Sequence, residues 1–161
     1  IVVLFKDVID RLFTLSALPY LFLVCGCYLM LPTILRPREK NQPWLQSFAM
    51  GLAQGIAVVP GLSRSGMTIT TGRLTGMTTT TATDFSFLMS LPIILASLVY
   101  ELLQGGTLQM LGFGSVVLAF VTAFVAGIVA IKMMLNLTKK IDLRWFAVYL
   151  FVLGLVLLVW L

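Results

Sequence analysis

No histidine occurs in this chain of 161 residues, which removes the commonest metal ligand and the commonest general base. Charge is nearly as scarce. Only 11% of residues are charged and 60% are hydrophobic, whereas a soluble domain carries about 25% charged residues. The composition excludes an ordinary soluble domain and points to an all-α polytopic membrane protein. The six acids, Asp7, Asp10, Glu39, Asp84, Glu101 and Asp142, are scattered, and all but Asp84 fall at connectors or span ends. No metal site is predicted from them. The two cysteines, Cys25 and Cys27, sit two apart in an apolar run. Such positions do not share a helix face, so they read as small packing residues rather than as a disulfide or a metal pair. The formal net charge is +5, but the basic residues gather at the ends of apolar runs. That makes the lipid bilayer the partner and excludes nucleic acid. The opening "IVVLFKDVIDRLF" has neither an initiator Met nor a basic leading segment, so it is no signal peptide. It reads as the stub of a helix cut part-way, and the chain is expected to be a fragment forming one membrane domain over 1–161.

What is present is a series of spans with one interruption. Residues 6–16 form a short amphipathic connector, and Ala17–Leu35 a first span ended by "RPREKNQP", Arg36–Pro43. Thr78–Gln104, with Pro92 inside it, is a second span and is followed by the uncharged loop "GGTLQMLGFG". Ser115–Leu137 is a third, and Trp145–Leu161 a short last one with a tryptophan near each interface. Between the first two spans lies Trp44–Met77. Its arms, Leu45–Val59 and Met67–Met77, are about 22 and 16 Å long at 1.5 Å per residue, too short for a hydrocarbon core of about 30 Å. Two half-length helices joined by a Pro-Gly turn predict a re-entrant hairpin over about 44–77. Gly51 and Gly55, then Gly72 and Gly76, are small residues four apart and are expected to let the arms approach closely. If the hairpin returns to its side of entry, Arg36, Arg38, Lys40, Arg73, Lys139, Lys140 and Arg144 share one face. Only Lys6 and Arg11, offset by Asp7 and Asp10, lie on the other. The positive-inside rule then favours a hairpin entering from the cytoplasm, with the C-terminus outside and Lys132 snorkelling to the cytoplasmic interface.

The hairpin carries "VVPGLSRSGMTITTGRLTG", Val58–Gly76, the most polar stretch in the chain. Pro60 and Gly61 end the first arm, and Ser63 or Ser65 caps the second. The start of that arm offers free N–H groups and a positive dipole end, an arrangement that binds anions and above all phosphate. Arg64 adds a guanidinium fork matching phosphate oxygens. Ser63, Ser65 and Thr68 supply hydroxyls, and Thr71 and Thr75 continue the polar face. The plainer alternative pairs Arg64 with a carboxylate and leaves the serines as caps, and for Ser65 and Gly66 capping has at least equal weight. Asp84 is expected to complement the dipole of its span, with pairing to Arg64 or Arg73 the second choice. Thr79, Thr83, Ser86, Ser90 and Ser97 recur on one helix face and are expected to turn inward, and Gln54 to hydrogen-bond within the hairpin.

The run "PGLSRSGMT", Pro60–Thr68, resembles the signature of the undecaprenyl-pyrophosphate phosphatase family of the bacitracin-resistance type. "DFSFLMSLP", Asp84–Pro92, and the order of spans are similar as well. The resemblance implies a bacterial inner-membrane hydrolase that converts undecaprenyl pyrophosphate to the monophosphate and so recycles the cell-wall lipid carrier. It implies a fold of two inverted repeats, each with a re-entrant hairpin, of which this chain would be the C-terminal one. Carried over, Arg64, Ser63 and Thr68 are catalytic residues, and Ser65, Gly66 and Gly61 contact the isoprenyl pyrophosphate lipid. A divalent cation, Mg²⁺ or Ca²⁺, is implied, with its ligands in the missing N-terminal half. The glutamates and the Ser-Ser-Thr-Gly-His run of the first repeat have no counterpart here; a homodimer is named as a partner state that the sequence leaves open. The competing reading is half of an inverted-repeat transporter or flippase, which also uses helix ends at mid-membrane.

Overall fold

The computed structural model describes residues 15–104, 112–140 and 142–160. Lys6, Asp7, Asp10 and Arg11 of the expected connector, residues 105–111 of the uncharged loop, and Leu161 lie outside the described residues. A 3-10 turn at Leu15–Ala17 leads into six α-helices among those described. They are α1 (Leu18–Leu35), α2 (Pro43–Ile56), α3 (Arg64–Leu74), α4 (Thr79–Gln104), α5 (Phe113–Lys140) and α6 (Leu143–Trp160). Four of them, α1, α4, α5 and α6, are long and apolar enough to cross a membrane. The chain is therefore a multi-pass helical membrane protein. At 14 and 11 residues, α2 and α3 reach only about 21 and 16 Å.

Local chemistry sets the boundaries. Prolines at the starts of α1 and α2 occupy positions where the missing N–H is no loss. α1 stops at Arg36, held in the left-handed region (φ 44°) ahead of Pro37, whose ring disfavours a helical residue before it. The second arm begins three residues before the expected Met67, because Ser63 caps it and so draws Arg64 into the first turn. It ends at Leu74 because Gly76, at φ 97°, reverses the chain. There the Met77 N–H donates to the Gly72 carbonyl at 2.8 Å and the Gly76 N–H to that of Arg73 at 3.0 Å. This pairing satisfies the last carbonyls of the helix.

α1 and α6 pack most extensively, and they run antiparallel. Gly26 faces Ala147 and Phe151, while Gly154 faces Pro19 and Leu23, so positions rise along one helix as they fall along the other. The Arg36 end of α1 therefore lies with Asp142 and Arg144. The α2–α3 pair is inserted beside them, with α3 touching α1, α2 and α4. A Cβ on Gly72 would stand 2.9 Å from Ala82 Cβ and 3.0 Å from Met50 Sδ, so here the small residue does permit close approach. Gly51 does not. A Cβ there would meet nothing within 4 Å, because that face of α2 is exposed. Cys25 and Leu29 of α1, Ala57 and Met67 of the hairpin, and Ala147 and Leu150 of α6 form the main core. Ile69, Ala82 and Leu143 form a second cluster, joining α3 to the starts of α4 and α6.

The two arms are tied at their open end. The buried amide of Gln46 donates to the carbonyls of Lys40 (2.7 Å) and Thr75 (3.2 Å), and the Lys40 N–H donates to the Gly76 carbonyl (3.0 Å). Residues before the first arm and after the second therefore touch. Beyond the start of α4, which packs on α3 through Ala82, Thr83 and Ser86, the apolar windows of α4 and α5 are only 6% and 0% buried, so their faces are left to lipid or to other protein.

Two glycines separate these environments experimentally. Gly76→Ala places a Cβ 2.8 Å from the backbone of Arg38 and Lys40, on top of a left-handed penalty of about 1–2 kcal/mol, and should lower the unfolding temperature clearly. Gly51→Ala should raise stability by about 0.5–1 kcal/mol through helix entropy alone. Thermal unfolding of both variants in detergent checks this; a Gly76→Ala variant as stable as the parent contradicts the packing.

Candidate functional site

The hairpin turns at Val59–Leu62, where the Leu62 N–H donates to the Val59 carbonyl at 3.2 Å and Gly61 adopts φ 86°. Proline followed by a residue with positive φ is the sequence requirement of a type II turn. Gly61 also lies against α1, and a Cβ there would stand 3.0 Å from that of Leu21. The next contact with α1 is one helical turn further along, where the Ser63 N–H meets Cys25 Sγ at 3.4 Å. Cys25 is near the middle of α1, so the start of α3 is level with the middle of the bundle.

Of the two candidate caps, Ser63 is the one used. Its backbone is extended (φ −68°, ψ 110°) and its Oγ accepts from the Gly66 N–H at 3.2 Å, while its carbonyl accepts from the Met67 N–H at 2.8 Å. The Gly66 N–H is thus committed within the protein. A side chain at 66 would press on Ser63 Oγ and on Leu29, at 3.0 and 3.1 Å. The N–H groups of Arg64 and Ser65 have no partner among the described residues, and both point from the first turn of a helix whose dipole favours an anion there. Ser63 and Arg64 are exposed and Ser65 is half-buried.

Among the described residues Arg64 forms no ion pair, and the one salt bridge joins Arg144 Nε to Asp142 at 2.9 Å. The guanidinium of Arg73 donates instead to the hydroxyl of Thr79. Asp84 is exposed and pairs with neither arginine. It is the sixth residue of α4, past the first turn in which a helix dipole acts, so the expected dipole role does not hold.

Thr68 sits one turn further in and is fully buried. Its Oγ1 lies 2.6 Å from Ser86 Oγ of α4 and within 3.0 and 3.2 Å of the Arg64 and Ser65 carbonyls. Thr71 meets Tyr28 of α1 at 2.8 Å, and Thr75 bonds back to the carbonyls of Thr71 and Gly72. The polar face below Arg64 therefore joins α3 to α1 and α4 rather than lining an open path. Thr83 and Ser86 do turn inward as expected, whereas Ser97 is exposed. Gln54 reaches the Met89 carbonyl at 3.4 Å, the long limit of a hydrogen bond. Lys132 is exposed on α5. The structure brings together Ser63, Arg64 and the first N–H groups of α3, with Thr68 and Gly66 behind them and Gly61 in the turn.

Comparison with known proteins gives the chain's family. The family model for bacitracin resistance protein BacA matches residues 1–156. The chain belongs to the BacA family. Curated relatives named undecaprenyl-diphosphatase include one from Christiangramia forsetii, 36% identical over 155 residues that cover 94% of this chain and 59% of the relative. Another, from Parabacteroides distasonis, is 38% identical, covering 96% of this chain and 60% of the relative. A third, from Bacteroides fragilis, is 38% identical, covering 98% and 62%. The chain thus spans about three-fifths of the length of these BacA relatives.

Sequence reading passed over Gln46 and Tyr28, and placed Ser86 on an inward face without its partner Thr68; all three hold the hairpin in place. Gln46 carried a usable signal, since it is an amide one turn into an apolar arm. The pairings of Tyr28 and Ser86 carried none, because their partners lie 43 and 18 residues away.

The cap makes a separable prediction. Ser63→Ala should cost about 0.5–2 kcal/mol of stability, while Ser63→Asp should retain the cap. Ser65→Ala should unfold with the parent. Equal losses at 63 and 65 in thermal unfolding would contradict the assignment.

Proposed function

We propose that this chain supplies the phosphate-binding half of an undecaprenyl-diphosphatase site in the bacterial inner membrane. The observation that carries the reading is Arg64: an exposed guanidinium that has no carboxylate partner among the described residues, at the first position of a helix whose leading N–H groups are likewise unclaimed by them. The pyrophosphate head of an isoprenyl lipid suits that set. The guanidinium fork takes two oxygens, the Arg64 and Ser65 N–H groups take others, and the Ser63 hydroxyl can donate while its lone pair still caps Gly66. Thr68, held by Ser86, sets the rotation of α3 and hence the direction of Arg64. These residues bind, orient and offset the negative charge that builds as the terminal phosphate leaves.

They do not by themselves activate an attacking group. A divalent cation prefers carboxylate and carbonyl oxygens, and the donors here are hydroxyls and N–H groups beside a fixed positive charge. Among the described residues no three of His, Cys, Asp or Glu come together. The donor set does not fit Mg²⁺ or Ca²⁺, and we assign the cation's ligands to the part of the BacA relatives that these 161 residues do not cover.

The same reading makes α2 and α3 a re-entrant hairpin and the chain one repeat of an inverted pair. Support comes from the lengths of the two arms and from the Gln46 contacts that return the chain to its starting level. The uncovered faces of α4 and α5 are then shared between lipid and the other repeat, supplied within a longer chain or by a second copy. Cysteines at Asn41 and Asp142, after replacement of Cys25 and Cys27, should label from the same side of the membrane. Labelling from opposite sides would remove the re-entrant reading.

Function is tested with farnesyl pyrophosphate. The chain alone should bind it and release no phosphate, with or without Mg²⁺ or Ca²⁺, and should gain turnover when co-expressed with the remaining part of a BacA relative. In that complex Arg64→Lys keeps the charge but loses the planar fork, and should lower turnover about 10²–10³-fold. Turnover by the chain alone that vanishes in Asp84→Asn would overturn the half-site and make Asp84 catalytic.

A further inference from the structure

At the far end of α3 from Arg64 the structure holds a second group of cations that the proposed reaction does not use. Leu35, Arg36, Arg38, Lys40, Leu45 and Thr75 are among the residues around a cleft of about 570 Å³ between the end of α1 and the open end of the hairpin. Arg36, Arg38 and Lys40 are exposed, and among the described residues none of them is paired with a carboxylate. The acid between them in sequence, Glu39, is not part of this cleft and lines a neighbouring depression with Asn41 and Thr78, which it shares with Lys40. Arg144, at the same end of the bundle, is already paired with Asp142.

The cations sit on backbone that is fixed before any ligand arrives. The Arg36 N–H donates to the Pro32 carbonyl at 3.1 Å and the Lys40 N–H to the Gly76 carbonyl at 3.0 Å, while the Arg38 carbonyl lies close enough to Gly76 to exclude a side chain there. Gln46 holds the Lys40 carbonyl. Beside these charges two leucines stay largely exposed, Leu35 at 63% and Leu45 at 56%. A free anion has no use for them, whereas a molecule with a phosphate and a hydrocarbon chain does.

We infer that this cleft binds the phosphate headgroup of an anionic lipid, with the lipid chain lying against Leu35 and Leu45. Two guanidinium forks and one ammonium surround the phosphodiester, and Leu74 adds to the apolar side of the cleft. Because the same loop is bonded to Thr75 and Gly76, a lipid here also braces the base of the hairpin. The inference rests on this cleft alone and holds whether or not Arg64 binds pyrophosphate.

Native mass spectrometry of the 161-residue chain in detergent, titrated with phosphatidylglycerol, phosphatidylcholine and inorganic phosphate, tests it. Phosphatidylglycerol should bind at least about tenfold more tightly than phosphatidylcholine, and the Arg36→Gln/Arg38→Gln/Lys40→Gln variant should abolish that preference. Arg144→Gln should keep it, which separates this cleft from the general charge of the interface. Should the triple variant fail to fold, the single variants Arg36→Gln and Lys40→Gln should each weaken phosphatidylglycerol binding about fivefold. Equal binding of the two lipids, or unchanged phosphatidylglycerol binding in the variants, overturns the inference. So does inorganic phosphate competing at the same concentration as the lipid, which would make the site one for a free anion.

Discussion

One amide holds the arrangement together. Gln46 is 4% exposed, and its Nε2 donates both to the loop that precedes the hairpin and to the last turn of its second arm. In a membrane protein apolar contacts between helices gain little over contacts with lipid, so hydrogen bonds and close packing decide which helices meet. A buried amide shared between two carbonyls fixes where α2 starts relative to where α3 ends. With that level set, 14 residues in and 11 residues out can only meet part-way along the longer helices. The turn is thereby placed against the first half of α1, where Gly61 fits beside Leu21 and Ser63 beside Cys25.

The polar residues of α3 divide into two jobs by position. Those along its length are consumed in holding it: Thr68 on Ser86, Thr71 on Tyr28, Arg73 on Thr79. Those at its start are not. Irregular backbone is tolerated at such a depth only where protein or water surrounds it, and the exposed Ser63 and Arg64 mark the side on which the described residues leave it open. The same contacts that hold α3 keep Arg64, which has no carboxylate partner among the described residues, on that open side. In the proposed site, charge held in place in this way would act on developing negative charge without rearrangement.

Much of this was legible in the residues. Arm length, the Pro60-Gly61 turn and the isolation of Arg64 follow from spacing and chemistry that are local in sequence. The failures share a cause. Whether Ser63 or Ser65 caps α3 depends on backbone angles that two serines two residues apart do not reveal. Gly51 and Gly72 look alike as small residues in a helix, yet one faces outward and the other is wedged between Met50 and Ala82. The contact of Thr68 with Ser86, on another helix, cannot be read from the spacing of the hydroxyls. Asp84 was placed by a helix start that lies too far upstream for the dipole to matter. The glycine and Thr68 cases turn on neighbours from other helices, and the cap and Asp84 cases on where the backbone enters the helix; both are three-dimensional facts that a single sequence does not record.

The central claim is that the chain enters and leaves the hairpin at one level. Spin labels at Asn41 and Thr80, both exposed, placed after replacement of Cys25 and Cys27 and measured by pulsed dipolar spectroscopy in lipid nanodiscs, test it most directly. The account predicts a narrow distribution well under the roughly 30 Å thickness of a hydrocarbon core; a distribution centred at or beyond that thickness would mean that α2 and α3 together cross the membrane, and would contradict it.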